Sequence, residues 1–137
     1  MKKRFFEEAK KESKLSDYSG AHIGACAVYK DKFIIARAHN TVKTNPTQYY
    51  YNKYRMNSKS DILLKPARSH AETQLYRKIR YLDIDFKDVV FYIYREWKNG
   101  NRAISKPCES CQKLIRDLGI KIVCYTGDNS YIEERFD

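Results

Sequence analysis

The sequence has no long hydrophobic run. No apolar stretch approaches the roughly 20 residues that span a bilayer, and the charged start, residues 1–8, holds no apolar core of a signal peptide. We therefore expect no membrane span and no secretory leader, and we expect a reducing, cytoplasmic location. The 137 residues also contain no internal repeat, so residues 1–137 are predicted to form a single domain.

Acidic residues are in the minority. There are 17 Asp and Glu against 27 Lys and Arg, which gives a formal net charge of +10. This excess favours an anionic substrate or a polyanionic partner, although a solvated surface explains it as well. Charge alone does not decide between a nucleotide, a nucleic acid and neither.

Cysteines are few, and their spacing is informative. The four are Cys26, Cys108, Cys111 and Cys124. In a reducing compartment, Cys-x-x-Cys indicates metal or redox chemistry rather than a disulfide. Cys26 and Cys124 lie in apolar segments and are predicted to be core residues.

Hydrophobic periodicity predicts alternating helices and strands. Helices are predicted over 2–14, 70–81 and 107–118, and strands over 21–29, 33–39, 88–94, 120–126 and 131–136. The small residues 24–27 of the first strand permit close approach of another element. The β-α-β-α-β order requires strands running in the same direction, and the initial hairpin adds an antiparallel edge. The expected fold is a three-layer α/β/α sandwich with a mixed five-stranded sheet.

A long polar segment without clear periodicity spans residues 40–67. Connections of this length in a compact domain are usually functional or partly helical. Tyr50 and Tyr54 share a face if this part is a short helix. Its lysines and arginines suit phosphates and its rings suit bases, as in a surface for single-stranded nucleic acid. The alternative places the tyrosines in the core and the cations in solvent.

Two motifs carry the residue types of a metal site. Ser-His-Ala-Glu at 69–72 and Pro-Cys-Glu-Ser-Cys at 107–111 both fall at the start of a predicted helix. Cys108 and Cys111 are at i and i+3, so both reach one ion. With His70 they form a three-ligand zinc site whose fourth position is open to water. Glu72, left unligated, suits a proton shuttle.

Each motif also has a simpler explanation. Ser69-x-x-Glu72 is a capping box, in which Glu72 only satisfies a helix end. Cys108-x-x-Cys111 alone also occurs in structural zinc knuckles and redox pairs, and a lone histidine such as His70 occurs in cores. The joint occurrence of both motifs, in this order, favours the zinc site.

His-x-Glu followed by Pro-Cys-x-x-Cys resembles the cytidine deaminase-like superfamily of zinc-dependent deaminases, including cytidine and deoxycytidylate deaminases of phages and bacteria. The resemblance extends over residues 23–126. Residues 33–40 look like the second strand of the family, which ends in a substrate-contacting asparagine. Residues 22–25 look like its first strand, although His22 stands where proline is common. The short tail after the fourth strand resembles the free cytidine deaminase branch.

The resemblance implies a hydrolase that converts cytosine to uracil in a nucleotide or in single-stranded DNA or RNA. It implies Zn²⁺ held by His70, Cys108 and Cys111, with Glu72 as the catalytic acid–base. The candidate substrate-binding residues are Asn40, Lys43, Tyr50, Tyr54, Arg68 and the backbone N–H of Ala71.

Two alternatives stay open from the sequence. One is a non-catalytic, zinc-stabilised nucleic-acid-binding module, and the other is a deaminase of adenine in RNA. A homo-oligomer is also left open, because the Tyr-rich segment suits an interface as well as a substrate site.

Overall fold

A computed structural model describes residues 1–44, 46–54 and 69–136. In these residues the helices are α1 (Lys3–Ser13), α2 (Pro46–Tyr51), α3 (Ala71–Ile79) and α4 (Glu109–Leu118). The strands are β1 (His22–Tyr29), β2 (Phe33–His39), β3 (Val89–Glu96), β4 (Arg102–Ala103), β5 (Ile122–Thr126) and β6 (Tyr131–Arg135). Short 3₁₀ helices cover Asn52–Tyr54 and Phe86–Asp88. None of the helices in this described part of the chain is long and apolar enough to cross a bilayer.

The strands form one mixed sheet in the order β2-β1-β3-β5-β6, with β4 paired to β3. β1 is antiparallel to both of its neighbours, and β3 is parallel to β5. Consequently β2, β3 and β5 run in the same direction, and their carboxyl ends lie at one edge of the sheet. The predicted mixed α/β sandwich is confirmed.

One strand was not expected. The sequence predicts a loop over 95–106, but β3 continues to Glu96 and turns back into β4. The turn is closed by the N–H of Gly100 donating to the carbonyl oxygen of Trp97, and by the N–H of Trp97 donating to that of Asn101, both at 2.9 Å. Because β4 has only two residues, it carries no periodicity that the sequence analysis detects.

Alternate residues of the central strands contact opposite helical layers. Side chains such as Phe91 and Val123 pack in one core with α3 and α4. Cys26, Tyr92 and Cys124 pack in the other with α1. The prediction that Cys26 and Cys124 are core residues is confirmed. Burial raises the pKa of both thiols to about 12, so they stay protonated and unreactive.

Helix α1 crosses β1 in direct backbone contact at Gly24. A Cβ atom at this position would lie 2.0 Å from the carbonyl oxygen of Ala9 and 2.3 Å from the backbone nitrogen of Ser13. The close approach predicted from the small residues of this strand is therefore confirmed. It brings Phe5 and Phe6 of α1 onto the sheet, where both rings contact Tyr92.

We predict that Gly24→Ala lowers the free energy of unfolding by about 3 kcal/mol, because the added methyl group forces the α1 backbone away from the sheet. Urea denaturation followed by circular dichroism measures the change. Gly20→Ala is the matched control, since its methyl group meets only the side chain of Tyr18 and is expected to cost about 0.5 kcal/mol or less. Equal effects of the two substitutions would contradict the close backbone contact.

Candidate metal centre and active site

Three side chains with metal-binding atoms meet beside the sheet edge that holds the carboxyl ends of β2, β3 and β5. Their ligand atoms all lie within 4.8 Å of one another. Nδ1 of His70 is 3.3 Å from Sγ of Cys111 and 3.6 Å from Sγ of Cys108. Tetrahedral zinc with ordinary Zn–N and Zn–S bond lengths places such atoms about 3.5 Å apart. The spacing therefore fits a zinc ion bound by His70, Cys108 and Cys111.

The starts of two helices bring these ligands together. His70 is the N-cap residue of α3, and Cys108 is the N-cap residue of α4. Both have extended backbone, and Cys111 follows one turn into α4. The free N–H groups of a helix start carry partial positive charge, which stabilises thiolates. The starts of α3 and α4 thus supply both the geometry and the partial positive charge that a thiolate site needs.

The pKa values of the two cysteines shift in opposite directions. A hydrogen bond from Cys111 lowers the pKa of Cys108 to about 3, and His70 and the hydroxyl group of Ser110, 3.0 Å from Sγ, lower it further. The same hydrogen bond and burial raise the pKa of Cys111 well above its ordinary value. The lowered pKa of Cys108 favours the thiolate form, which is the form that binds zinc.

Glu72 lies in the first turn of α3, next to the ligands. Its side chain is buried, with 4% of the residue exposed, and its Oε1 atom has no hydrogen-bond partner. Burial raises the pKa of this carboxyl group, with the negative charge of Cys108 contributing in the same direction. A buried polar atom without a partner costs about 1–3 kcal/mol, so Oε1 is a group that a bound ligand would satisfy.

The capping-box alternative for Glu72 is wrong. The N-cap residue is His70 rather than Ser69, and α3 has no hydrogen bond from its N-cap side chain. The Ser69 hydroxyl instead donates to the carbonyl oxygen of Lys43 at 3.0 Å. Glu72 is thus not engaged as the partner of a capping serine.

Ala71 and Asn40 are two of the predicted substrate-binding residues. Ala71 directly follows the ligand His70, and Asn40 directly follows β2. Ala71 is the first residue of α3 and is buried. Asn40 follows β2, and its amide already has partners: Oδ1 accepts from the N–H of Ile23 at 3.0 Å and from the Ser16 hydroxyl at 2.6 Å, and Nδ2 donates to the carbonyl oxygen of Ala21 at 3.0 Å. Asn40 therefore joins β2 to the loop before β1, and its contact with substrate stays a prediction.

Lys43 enters the site region through its backbone. Its carbonyl oxygen accepts from the N–H of Ser69, and the N–H of Thr41 donates to the carbonyl oxygen of Ser69, both at 3.0 Å. This pairing places Lys43 beside the residue that precedes His70, with its side chain exposed. Arg68, the last predicted binding residue, lies outside the described residues.

Tyr50 and Tyr54 share one face of the α2 segment, as predicted. Nζ of Lys53 lies 4.0 Å from the ring centroid of Tyr50 and 5.2 Å from that of Tyr54. Tyr50 is 54% exposed, whereas Tyr54 is partly buried. The tyrosine in the core is Tyr51, whose hydroxyl donates to Oδ2 of Asp117 at 2.8 Å. The alternative that both tyrosines are core residues is therefore wrong for Tyr50, whereas Tyr54 packs against the core.

Gln48 and Arg95 are not marked by any sequence motif. Gln48 is fully buried, and its Oε1 accepts a hydrogen bond from the N–H of His70 at 3.2 Å. Its partner is 22 positions away, so no local pattern marks it. Arg95 lies at the carboxyl end of β3, where its guanidinium contacts the Trp97 ring at 4.8 Å and its Nε atom is buried without a hydrogen-bond partner.

We predict that Cys111→Ala reduces bound zinc from about one ion per chain to below about a tenth, because two protein ligands hold zinc too weakly to survive purification. Metal content by mass spectrometry measures it. Cys124→Ala is the matched control, a buried thiol outside the cluster that should leave the metal content unchanged. Full zinc occupancy in Cys111→Ala would overturn the assignment of the ligands.

Comparison with known proteins gives one family match. Residues 1–126 match the model of the cytidine and deoxycytidylate deaminase zinc-binding region. No curated protein sequence matches the chain with significance.

Solved structures show the same fold. The dCMP deaminase of cyanophage S-TIM5 in apo form has a TM-score of 0.59 and 21% identity, with 90% of this chain and 82% of that chain covered. Its complex with dCMP and dUMP has a TM-score of 0.58 and 22% identity, covering 90% and 81%. A point mutant of the Mycobacterium tuberculosis cytidine deaminase has a TM-score of 0.55 and 14% identity, covering 97% and 88%.

The family match includes both metal-binding motifs, and the three ligand atoms are spaced for zinc. Sequence, fold and site geometry therefore agree, and the chain belongs to the cytidine and deoxycytidylate deaminase zinc-binding family.

Proposed function

We propose that the protein removes the amino group of a cytosine base by hydrolysis, giving uracil and ammonia. The base is carried by a nucleotide of the deoxycytidylate type. Family membership supports zinc-dependent deamination of a cytosine-type substrate. The observation that carries the proposal is Oε1 of Glu72, buried without a partner beside three zinc-ligand atoms. A metal site that only stabilised the fold would have no use for an unsatisfied acid at this position.

His70, Cys108 and Cys111 would hold the zinc ion, which would supply the Lewis acidity that makes a water molecule nucleophilic toward C4 of the base. Glu72 would accept one proton of this water at Oε1 and deliver it to N3 of the base as the water oxygen bonds to C4. It would then carry the proton of the new hydroxyl group on C4 to the amino nitrogen, so that the C4–N bond breaks, ammonia leaves and the C4 carbonyl of uracil remains. Its raised pKa suits both steps, since a buried carboxyl group takes up a proton readily and does not lose it to solvent.

Two further residues are proposed to hold the base and sugar. The backbone N–H of Ala71, at the start of α3, points along the helix axis toward the site and can donate to the base. Asn40 has one Nδ2 hydrogen beyond its bond to Ala21, and we assign this hydrogen to the sugar. Because Oδ1 of Asn40 is held by two donors, the amide is fixed in orientation before substrate binds.

Positive groups around the site favour a phosphorylated substrate. The side chain of Lys43 is exposed, and its backbone carbonyl is bonded to Ser69. The Nε atom of Arg95, at the carboxyl end of β3, is buried without a hydrogen-bond partner. The net charge of +10 adds long-range attraction for an anion. A complex with dCMP and dUMP is known for the cyanophage S-TIM5 enzyme, which shares the fold.

A second candidate substrate is cytosine within single-stranded nucleic acid. The observation that favours it is the exposed ring of Tyr50 with Lys53 stacked on it, a pairing that suits a base and its phosphate. Tyr49, also exposed, extends this surface. The two substrates differ in whether the α2 segment contributes to binding.

We predict that Glu72→Gln lowers turnover of deoxycytidylate by at least about 10²-fold, because the amide cannot accept the proton of the attacking water. The bound zinc should be unchanged, because Glu72 is not a ligand. Loss of ultraviolet absorbance at the cytosine band measures turnover, and mass spectrometry measures the metal. A wild-type protein that deaminates no nucleobase substrate would favour the non-catalytic zinc module instead.

The choice of substrate is tested by Tyr50→Ala. If the substrate is deoxycytidylate, kcat/KM should stay within about twofold of wild type. If a base of an oligonucleotide stacks on Tyr50, the variant should bind the oligonucleotide about 1–3 kcal/mol more weakly. Tyr81→Ala is the matched control, an exposed tyrosine that contacts Arg80 at the far end of α3. Faster turnover of a cytosine oligonucleotide than of deoxycytidylate, with a steep loss of binding in salt, would replace the nucleotide proposal by the polynucleotide one.

A further inference from the structure

Gln48 lies on the buried face of α2 and contacts the start of α3, the helix that carries His70. Its Oε1 accepts hydrogen bonds from the backbone N–H of His70, at 3.2 Å, and from the hydroxyl group of Thr73. Its Nε2 donates to Oδ1 of Asn52 at 2.9 Å. Gln48 has no exposed surface, and Asn52 and Thr73 are also buried. The amide is therefore satisfied at both ends and held in one orientation.

These bonds hold the start of α3 from a different helix. A helix start leaves backbone N–H groups without partners inside the helix, and usually the N-cap side chain accepts from one of them. The side chain of His70, the N-cap residue, makes no such bond, and its Nδ1 faces the two thiols instead. The preceding serine bonds to Lys43. Gln48 accepts from the N-cap N–H and from Thr73 in the first turn, so a residue of a different helix holds this helix start.

We propose that Gln48 is a positioning residue for the metal centre, which sets the backbone of His70 and thereby the direction of its imidazole toward Cys108 and Cys111. Tyr51, one turn further along α2, anchors the same helix through Asp117 of α4. Helix α2 therefore bridges the two helices that carry the ligands. The long polar segment thus has a part in building the metal site, apart from any contact with substrate.

The effect of Gln48 is to orient the imidazole of His70 before zinc binds. An imidazole binds zinc tightly only when its ring is already directed at the ion, and outer partners of zinc ligands typically change metal affinity about 10- to 100-fold. Here the outer partner holds the backbone of the ligand rather than its second ring nitrogen. Glu72 is two residues further along the same turn, so a shift of residue 70 also displaces the acid.

The test replaces Gln48 and measures zinc affinity by competition with a chromophoric chelator, a readout that needs no substrate. Gln48→Met keeps the length and volume of the side chain and removes its hydrogen bonds, and we expect about 10- to 100-fold weaker zinc binding. Gln48→Glu keeps the acceptor toward His70 and Thr73, and Asn52 can turn its amide to donate to it. This variant should retain zinc affinity within about threefold of wild type.

Phe6→Leu controls for a general loss of stability, since Phe6 packs on the opposite face of the sheet. It should lower the melting temperature and leave zinc affinity unchanged. The absorption spectrum of the Co²⁺-substituted protein adds a direct measure of ligand geometry. In Gln48→Met the d–d bands of tetrahedral Co²⁺ should shift or weaken, and in Gln48→Glu and Phe6→Leu they should match the wild type.

Wild-type zinc affinity and an unchanged Co²⁺ spectrum in Gln48→Met would overturn the proposal. So would a loss in Gln48→Glu as large as that in Gln48→Met, because the acceptor would then be irrelevant. If Gln48→Met does not fold, Gln48→Asn decides, since its shorter side chain withdraws the acceptor from His70 while staying polar. Zinc affinity equal to wild type in a folded Gln48→Asn would equally reject the role of Gln48.

Discussion

The site depends on one topological constraint, which is that two helices start at the same edge of the sheet. β2, β3 and β5 run in the same direction, so α3 and α4 both begin where strands end. This placement brings His70 to Cys108 and Cys111 across nearly forty residues of sequence, 38 and 41 positions apart. Helix starts also provide the partial positive charge that favours thiolates. A sheet in which β2 and β3 ran in opposite directions would separate the ligands by the length of a strand.

Burying Glu72 beside Cys111 is costly. A carboxyl oxygen without a partner, two thiols and an imidazole occupy one region, and the pKa values of Glu72 and Cys111 are both raised there. The protein tolerates this because the sheet is anchored on both faces. On the far side α1 contacts the backbone of β1 at Gly24, and on the near side α3 and α4 pack on the apolar residues of β3 and β5. The stability of the fold therefore supports a region that is itself unfavourable until metal and substrate bind.

The α2 segment shows how one short element serves two purposes. Its inner face carries Gln48 and Tyr51, which contact the metal-bearing helices, and its outer face carries Tyr50 and Lys53. The buried positions Gln48, Tyr51 and Asn52 follow helical spacing, but two of the three are amides. Hydrophobic periodicity cannot detect a helix whose buried face is polar. The sequence pattern therefore indicates the tyrosines but not Gln48, whose amide connects α2 to the metal site.

The sequence alone determined the elements with strong apolar periodicity and the identity of the zinc ligands, because periodicity and ligand spacing are local properties of the chain. It also indicated the close approach at Gly24. The tertiary structure decided the rest. It showed that the Ser69 hydroxyl bonds to Lys43, so that Glu72 is not part of a capping box. It also showed that the loop before β1 holds the amide of Asn40 and that Gln48 holds the start of α3. Each of these depends on hydrogen bonds between residues 17 or more positions apart, whose partners are chosen by packing rather than by neighbours in the chain.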